Sequence, residues 1–272
     1  MVREGPQHRA KRSLGQNFLV DPNLQRKIVS ALGAGPEDEV LEIGPGRGAL
    51  TRHLAGRVGR LVLVELDRSL ARRLRDEYED DAHVSVVEAD ILETELDRVT
   101  DDWVRTRVVG NIPYNITTPI LFHLLSRPRP ADIVLMVQRE VADRMVASPG
   151  ADGYGALTVG VQSVARAEFL FGVPRSAFRP VPRVSSAVVR VTPLHPAPLD
   201  AADERRLRRL TRAVFQWRRK QMQKTLRDHP DLSIPREAVA MTGEVLGVDL
   251  SRRPETFAPG DLVALARRLL PG

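Results

Sequence analysis

Short apolar runs recur along the first half of the chain, at 39–43, 60–66, 83–87, 106–109 and 133–137, each bounded by charged or turn residues. Runs of four to seven such residues suit strands buried on both faces. Helical spacing fills the intervals near 49–55, 68–80 and 119–125. An amphipathic helix over 22–32 precedes them, with Asp21 as its N-cap and Gly33 as its stop. Strands alternating with helices predict a doubly wound α/β domain whose parallel sheet is covered on both sides. A helix at 140–147, a glycine-rich loop at 150–155 and the stretch 157–165 follow. The β-rich portions 167–173 and 184–191 close this region.

The segment Pro193-Leu194-His195-Pro196-Ala197-Pro198 reads as a linker, and beyond it the strand signal disappears. Leu207, Leu210, Val214 and Trp217 keep helical spacing, while Arg205, Arg208, Arg209 and Arg212 fall largely elsewhere. Two more helices are expected at 235–246 and 259–270. The sequence thus divides into an α/β domain over 1–195 and a small all-helical domain over 196–272. It has no internal repeat.

Composition narrows the chemistry. With 42% hydrophobic and 28% charged residues in 272, the chain can bury a proper core. No apolar run approaches the ~18 residues of a membrane span, and the first residues lack an apolar signal centre. A soluble, cytoplasmic protein is expected. The absence of cysteine rules out disulfides, thiolate zinc sites and cysteine nucleophiles. The six histidines stand singly, without metal-ligand spacing, so no metal is expected. Net charge is +6, unevenly spread: residues 1–27 carry +4 and 201–230 carry +7, leaving the remainder at −5. Two concentrated basic segments are the footprint of a polyanion binder.

Asn111-Ile112-Pro113-Tyr114 follows the fourth apolar run. An exocyclic aromatic amine such as adenine N6 is a poor nucleophile, because its lone pair is delocalised into the ring. Two acceptors, the Asn111 side-chain oxygen and the Ile112 carbonyl, can hold its two hydrogens and push the nitrogen towards tetrahedral geometry. Pro113 limits the freedom of the loop, so the acceptors are preorganised. Tyr114 offers a stacking face for a base taken out of its helix.

Upstream, Glu42-Ile43-Gly44-Pro45-Gly46-Arg47-Gly48 sits where the first strand turns into a helix. Its glycines permit a tight turn and close backbone approach to a ligand. With Ala49 and the acidic Glu65 beyond, it also satisfies a dinucleotide-binding pattern, and either ligand has a ribose for Glu65. S-adenosylmethionine fits better. Glu42 suits a cationic ammonium or sulfonium, Asp90 is placed for the cofactor's adenine amine, and the next strand delivers Asn111 beside the donor methyl. All of these sit at the carboxyl ends of successive strands, where open α/β sheets bind ligands.

With these residues in hand, the chain resembles the ribosomal RNA adenine N6-dimethyltransferases, most closely those acting on two adjacent adenines near the 3′ end of small-subunit (16S) rRNA. The resemblance rests on Leu14–Leu19, Glu42–Gly46, Glu65-Leu66-Asp67, Asn111–Tyr114, Phe178-Arg179-Pro180-Val181-Pro182 and Phe215–Lys220. It implies a class I, Rossmann-like methyltransferase domain. It also implies that Asn17, Leu19, Gly44, Glu65, Asp90 and Asn111 face the cofactor, beside Gly46 and Glu42 of the glycine turn, while Tyr114 and Phe178 wall the target adenine. Phosphate contacts are expected from Lys11, Arg12 and a helix around Arg218, Arg219, Lys220 and Lys224. The partner implied is small-subunit rRNA in a pre-ribosomal particle, met by a monomer. Ile112 stands where the small-subunit enzymes often have leucine and where isoleucine is common in antibiotic-resistance relatives acting on large-subunit rRNA. Trp217 replaces a more usual polar residue. A large-subunit (23S) rRNA methyltransferase and a non-catalytic ribosome-assembly factor are the alternatives.

Overall fold

The computed structural model describes residues 16–271. In chain order its elements are β1 (Phe18–Leu19), α1 (Pro22–Leu32), β2 (Glu39–Ile43), α2 (Thr51–Leu54), β3 (Arg60–Glu65) and α3 (Arg68–Glu77). Then come β4 (Val84–Glu88), α4 (Leu96–Val99), β5 (Arg107–Asn111), α5 (Thr117–Leu124), β6 (Asp132–Gln138) and α6 (Arg139–Val146). The last are α7 (Ala156–Gln162), β7 (Ala165–Val173), β8 (Phe178–Arg179), β9 (Ser186–Pro193), α8 (Ala201–Gln216), α9 (Met222–Asp228), α10 (Arg236–Leu246) and α11 (Pro259–Leu269).

Seven strands form one sheet in the order β4-β3-β2-β5-β6-β9-β7. The four pairings from β4 to β6 are parallel, but β9 runs antiparallel to β6, so the sheet is mixed rather than wholly parallel. The apolar runs explain the central strands: β2, β3 and β6 are buried almost throughout, as strands covered on both faces must be. β4, at one edge, is only partly buried. Strand order reverses beside β2, because the chain builds β3 and β4 on one side and then returns to place β5 and β6 on the other. Such a switch point opens a crevice at the carboxyl ends of the strands.

Helix α1 starts and stops where its sequence dictates. Asp21 accepts from the amides of Asn23 and Leu24, and Gly33 ends the helix at φ 65°. The two-stranded sheet of β1 and β8 was not legible beforehand: Phe18 pairs with Arg179 and Leu19 with Phe178.

The chain separates into two compact units, 16–142 with 168–192 and 143–167 with 193–271. The sequence division at 195/196 assigns 143–167 to the α/β portion, whereas these residues group with the helical unit. The reason is packing within that unit: α7 lies against α8, and the buried Tyr154 donates its hydroxyl to the Phe257 carbonyl at 2.7 Å. Leu207, Leu210 and Val214 are buried in its core as the helical spacing predicts, Trp217 is half-buried, and Leu262 and Leu265 complete the core. There the buried Asp203 is gripped by Arg267 (2.6 Å) and Arg206 (3.1 Å), which hold its carboxyl below the ordinary range. His229 is a satisfied core histidine. Its Nδ1 accepts from the Asp231 amide, which leaves Nε2–H to donate to Gln216 at 3.1 Å. Among the described residues no helix is long and apolar enough to cross a membrane.

Candidate functional site

A cavity of about 230 Å³ occupies the switch-point crevice of the α/β unit. The carboxyl ends of four strands supply its floor. β2 leads into Glu42 to Arg47, β3 ends at Glu65, β4 leads into Asp90, and β5 ends at Asn111. Of the cofactor candidates, Asn17, Leu19, Glu42, Gly44, Gly46, Glu65, Asp90 and Asn111 all line it, as do Ile112, Pro113 and Tyr114.

Glu42 is 2% exposed, and the hydroxyl of the fully buried Thr51 donates to its Oε2 at 2.7 Å. Burial pushes its carboxyl up to about 8, with Glu65 nearby adding to the effect and Thr51 opposing it. The sequence reading made Glu42 a standing negative charge. In the folded protein without ligand it is mostly protonated near neutral pH, and a cationic group must arrive to stabilise the carboxylate.

Glu65 ties the turn to the sheet. Its Oε2 accepts from the Gly46 amide at 2.9 Å and its Oε1 from the Asp67 amide at 2.8 Å. Burial raises its pKa, and these two amides pull it back. Each carboxylate oxygen keeps a further lone pair for a ligand hydroxyl. Gly46 takes φ 59°, and a Cβ there would sit 3.2 Å from the Phe18 ring, so the turn requires glycine on two counts. At Asp90, Oδ1 accepts from the Leu92 amide at 2.9 Å. The residue therefore caps its own turn while lining the cavity, and the two roles are compatible.

Residues 16–19 cross the cavity as a strap. Gln16 donates to Asp67 at 3.2 Å, and the Leu19 carbonyl accepts from the buried Gln25 at 3.0 Å. The Asn17 carbonyl accepts from Asn111 Nδ2 at 3.0 Å. That bond fixes the Asn111 amide with Oδ1 as its remaining acceptor. Among the described residues neither Oδ1 nor the Ile112 carbonyl receives a donor. Ile112 itself is held by its amide on the Met136 carbonyl and by its buried side chain. Gly110, just before, has no room for a Cβ, which would lie 2.9 Å from the Ile43 carbonyl. Two neutral acceptors, Asn111 Oδ1 and the Ile112 carbonyl, therefore stand together at the end of β5. Tyr114 is half-buried, and its hydroxyl lies 2.6 Å from Ser186 Oγ. Burial raises its pKa, so it stays neutral.

Phe178 does not join this group. In the β1/β8 pairing it faces inward opposite Leu19, is fully buried in the core, and does not line the cavity. The rings that line it are those of Phe18 and Tyr114, and Arg47 stacks on Phe18 at 4.4 Å. Thr51, Phe18, Gln16 and Ser186 were missed as individual contributors. Gln16 and Phe18 lie in the motif Leu14–Leu19 but were given no role of their own, and the contributions of Thr51 and Ser186 show only in their bonds to Glu42 and Tyr114.

In the helical unit, Arg218, Arg219 and Lys220 lie in the turn after α8 rather than within a helix, and Lys224 lies on α9. The helix ends at Gln216, with Trp217 as its C-cap and its ring 5.0 Å from the His229 ring. Arg219, Lys220 and Lys224 are exposed, while Arg218 pairs with Glu255 at 3.0 Å. Lys11 and Arg12 lie outside the described residues.

Residues 7–247 match the family model described as ribosomal RNA adenine dimethylase. The chain is 42% identical to the ribosomal RNA small subunit methyltransferase A of Acinetobacter baylyi, over 97% of this chain and 94% of that one. It is 40% identical to the protein of the same name from Pseudomonas aeruginosa, over 98% and 97%. Among solved structures it is similar to a dimethyladenosine transferase from Plasmodium falciparum, with TM-score 0.76, 27% identity and coverage of 91% and 95%. It is also similar to the 23S rRNA methyltransferase ErmE, with TM-score 0.70, 30% identity and coverage of 93% and 99%.

Proposed function

The chain belongs to the ribosomal RNA adenine dimethylase family, and we propose that it transfers methyl groups from S-adenosylmethionine to N6 of two adjacent adenines near the 3′ end of small-subunit (16S) rRNA. Within that reading it works as a monomer on a pre-ribosomal particle and contributes to small-subunit biogenesis. The observation that carries it is the pair of unengaged acceptors, Asn111 Oδ1 and the Ile112 carbonyl, at the rim of a cavity that also holds Glu42, Glu65 and Asp90.

The cavity suits the cofactor. Two buried carboxyls in the cavity suit a ligand that has a cationic end and a ribose diol, and a Cβ at Gly46 would crowd the Phe18 ring at 3.2 Å. Glu42 receives the cationic end, Glu65 the ribose hydroxyls and Asp90 the adenine amine. Gly44 and Gly46 let the backbone approach, and Asn17 and Leu19 cover the ligand. Bound S-adenosylmethionine supplies an electrophilic methyl group. Asn111 and Ile112 accept the two N6 hydrogens and so direct the nitrogen lone pair out of the ring plane. Pro113 keeps that loop fixed, and Tyr114 stacks on the extruded base. Both acceptors are neutral, so the departing proton passes to water and no side chain serves as base. Arg219, Lys220 and Lys224 in the helical unit contact phosphate, together with Lys11 and Arg12.

A second reading, methylation of large-subunit rRNA, draws on Ile112 and on the similarity to the 23S rRNA methyltransferase ErmE. Incubation with labelled S-adenosylmethionine and undermethylated small or large subunits, followed by mapping of the modified nucleotides, separates the two. Dimethyladenine only in the large subunit refutes the first reading. In the same assay Asn111→Ala lowers turnover at saturating cofactor by roughly 10²-fold or more. Near-normal turnover removes Asn111 from the mechanism.

A further inference from the structure

Ser186 does not line the cavity, but the topology puts it beside the rim. β9 is antiparallel to β6, so its first residue lies at the same rim as the carboxyl ends of the parallel strands. Ser186 pairs with Gln138 at the end of β6, and Asn111, at the end of β5, pairs with Met136 two residues earlier on the same strand. Ser186 is 1% exposed, and its hydroxyl meets that of Tyr114 at 2.6 Å, a short O–H···O contact in which either oxygen can donate. The neighbouring Ser185 is held as well, because its carbonyl accepts from the Arg139 amide at 3.0 Å.

With Phe178 buried in the core and Phe18 covered by Arg47, Tyr114 supplies the aromatic face at the acceptor end of the cavity. A ring fixed only at its Cβ still swings about χ1, whereas one also held at its hydroxyl has both ends of its long axis pinned. We propose that Ser186 is a positioning residue for methyl transfer, its hydroxyl pinning the outer end of the Tyr114 ring so that the ring stays where the target base stacks. The proposal rests on the stacking role given to Tyr114 above. It also accounts for a tyrosine at 114 where stacking alone asks only for a ring.

The test uses the full-length enzyme with undermethylated small subunits and compares Ser186→Ala, Tyr114→Phe, the double variant and Ser186→Thr. Losing one net hydrogen bond corresponds to roughly a three- to tenfold fall in kcat. Ser186→Ala and Tyr114→Phe each show this fall, and the double variant falls no further. Ser186→Thr, which keeps the hydroxyl, restores the rate. The Kd for S-adenosylmethionine, measured by calorimetry, stays at the wild-type value and the thermal midpoint falls by no more than the few degrees that one buried hydrogen bond is worth, whereas a general packing defect lowers both. A wild-type rate in Ser186→Ala, additive losses in the double variant, or an equal loss of cofactor affinity overturns the proposal. Tyr114→Ala separates it from its premise. Full activity there sinks the stacking role itself, whereas a large loss beside a wild-type Ser186→Ala sinks only the role of Ser186.

Discussion

Replacing Glu42 by glutamine should flatten a pH dependence that the wild-type fold cannot avoid. In the ligand-free protein the Glu42 carboxyl titrates at about 8, against an ordinary value of 4.5 in the unfolded chain. Because the folded value is the higher one, bound proton favours the fold. That contribution is complete below about 4.5 and is lost as pH rises through about 8. The slope is about 1.4 kcal/mol per pH unit inside this window, so wild type loses about 3 kcal/mol from this group between pH 6 and pH 9. Glu42→Gln, which keeps the shape and can still accept from Thr51, loses none of it. Urea unfolding midpoints of both proteins at pH 6, 7, 8 and 9 give the comparison, with groups common to both cancelling in the difference. Parallel profiles would refute the reasoning. A second measurement reads the same proton from the ligand side. If the cationic end of S-adenosylmethionine faces Glu42, binding at pH 7 releases up to about 0.9 proton, the fraction bound at that pH. Calorimetry in two buffers of different ionisation enthalpy counts it, and Glu42→Gln should release none.

Gly46→Ala forces φ 59° on a residue with a Cβ and pushes that atom to 3.2 Å from the Phe18 ring. The expected cost is about 1–2 kcal/mol of stability together with weaker cofactor binding, and an unchanged thermal midpoint refutes it. Alanine at Arg219, Lys220 and Lys224 together should lower the salt dependence of RNA affinity, reducing the slope of log K against log salt by about 2–3. Arg218 is left in place because it already pairs with Glu255. An unchanged slope removes that turn from the RNA contact.

The central fold was legible because its signals are local. Burial on both faces demands continuous apolar strands, and α1 begins at Asp21 and stops at Gly33 as capping chemistry requires. The glycine turn and the acidic residues after β3 and β4 could likewise be read, since position at a strand end already implies a ligand-facing role. What could not be read depends on pairings between distant segments. β1 and β8 have two residues each, too few for any periodicity, and only their pairing shows that Phe178 points into the core. The grouping of 143–167 with the helical unit needs the Tyr154–Phe257 bond, which spans 103 residues. The charge state of Glu42 was misread for a related reason. A sequence gives the residue type, and the fold decides how much water the carboxyl loses.

The strap over the cavity connects the two halves of the proposed reaction through one amide. Asn111 spends its donor on the Asn17 carbonyl and keeps its oxygen for the incoming amine. An aspartate there would set an anionic oxygen against a carbonyl at about the same distance, with no proton between them. A glutamine would carry the amide one carbon further from β5. The position thus requires a short side chain that donates at one end and accepts at the other. Asn17 lines the cavity on the same side, while Gln16 and Leu19 anchor the strap to Asp67 and Gln25. Any displacement of the strap therefore moves the hydrogen bond that orients the acceptor oxygen. In the proposed reaction residues 16–19 would serve both cofactor cover and acceptor geometry, so the Asn111 oxygen would be oriented for the target amine only when the strap is seated.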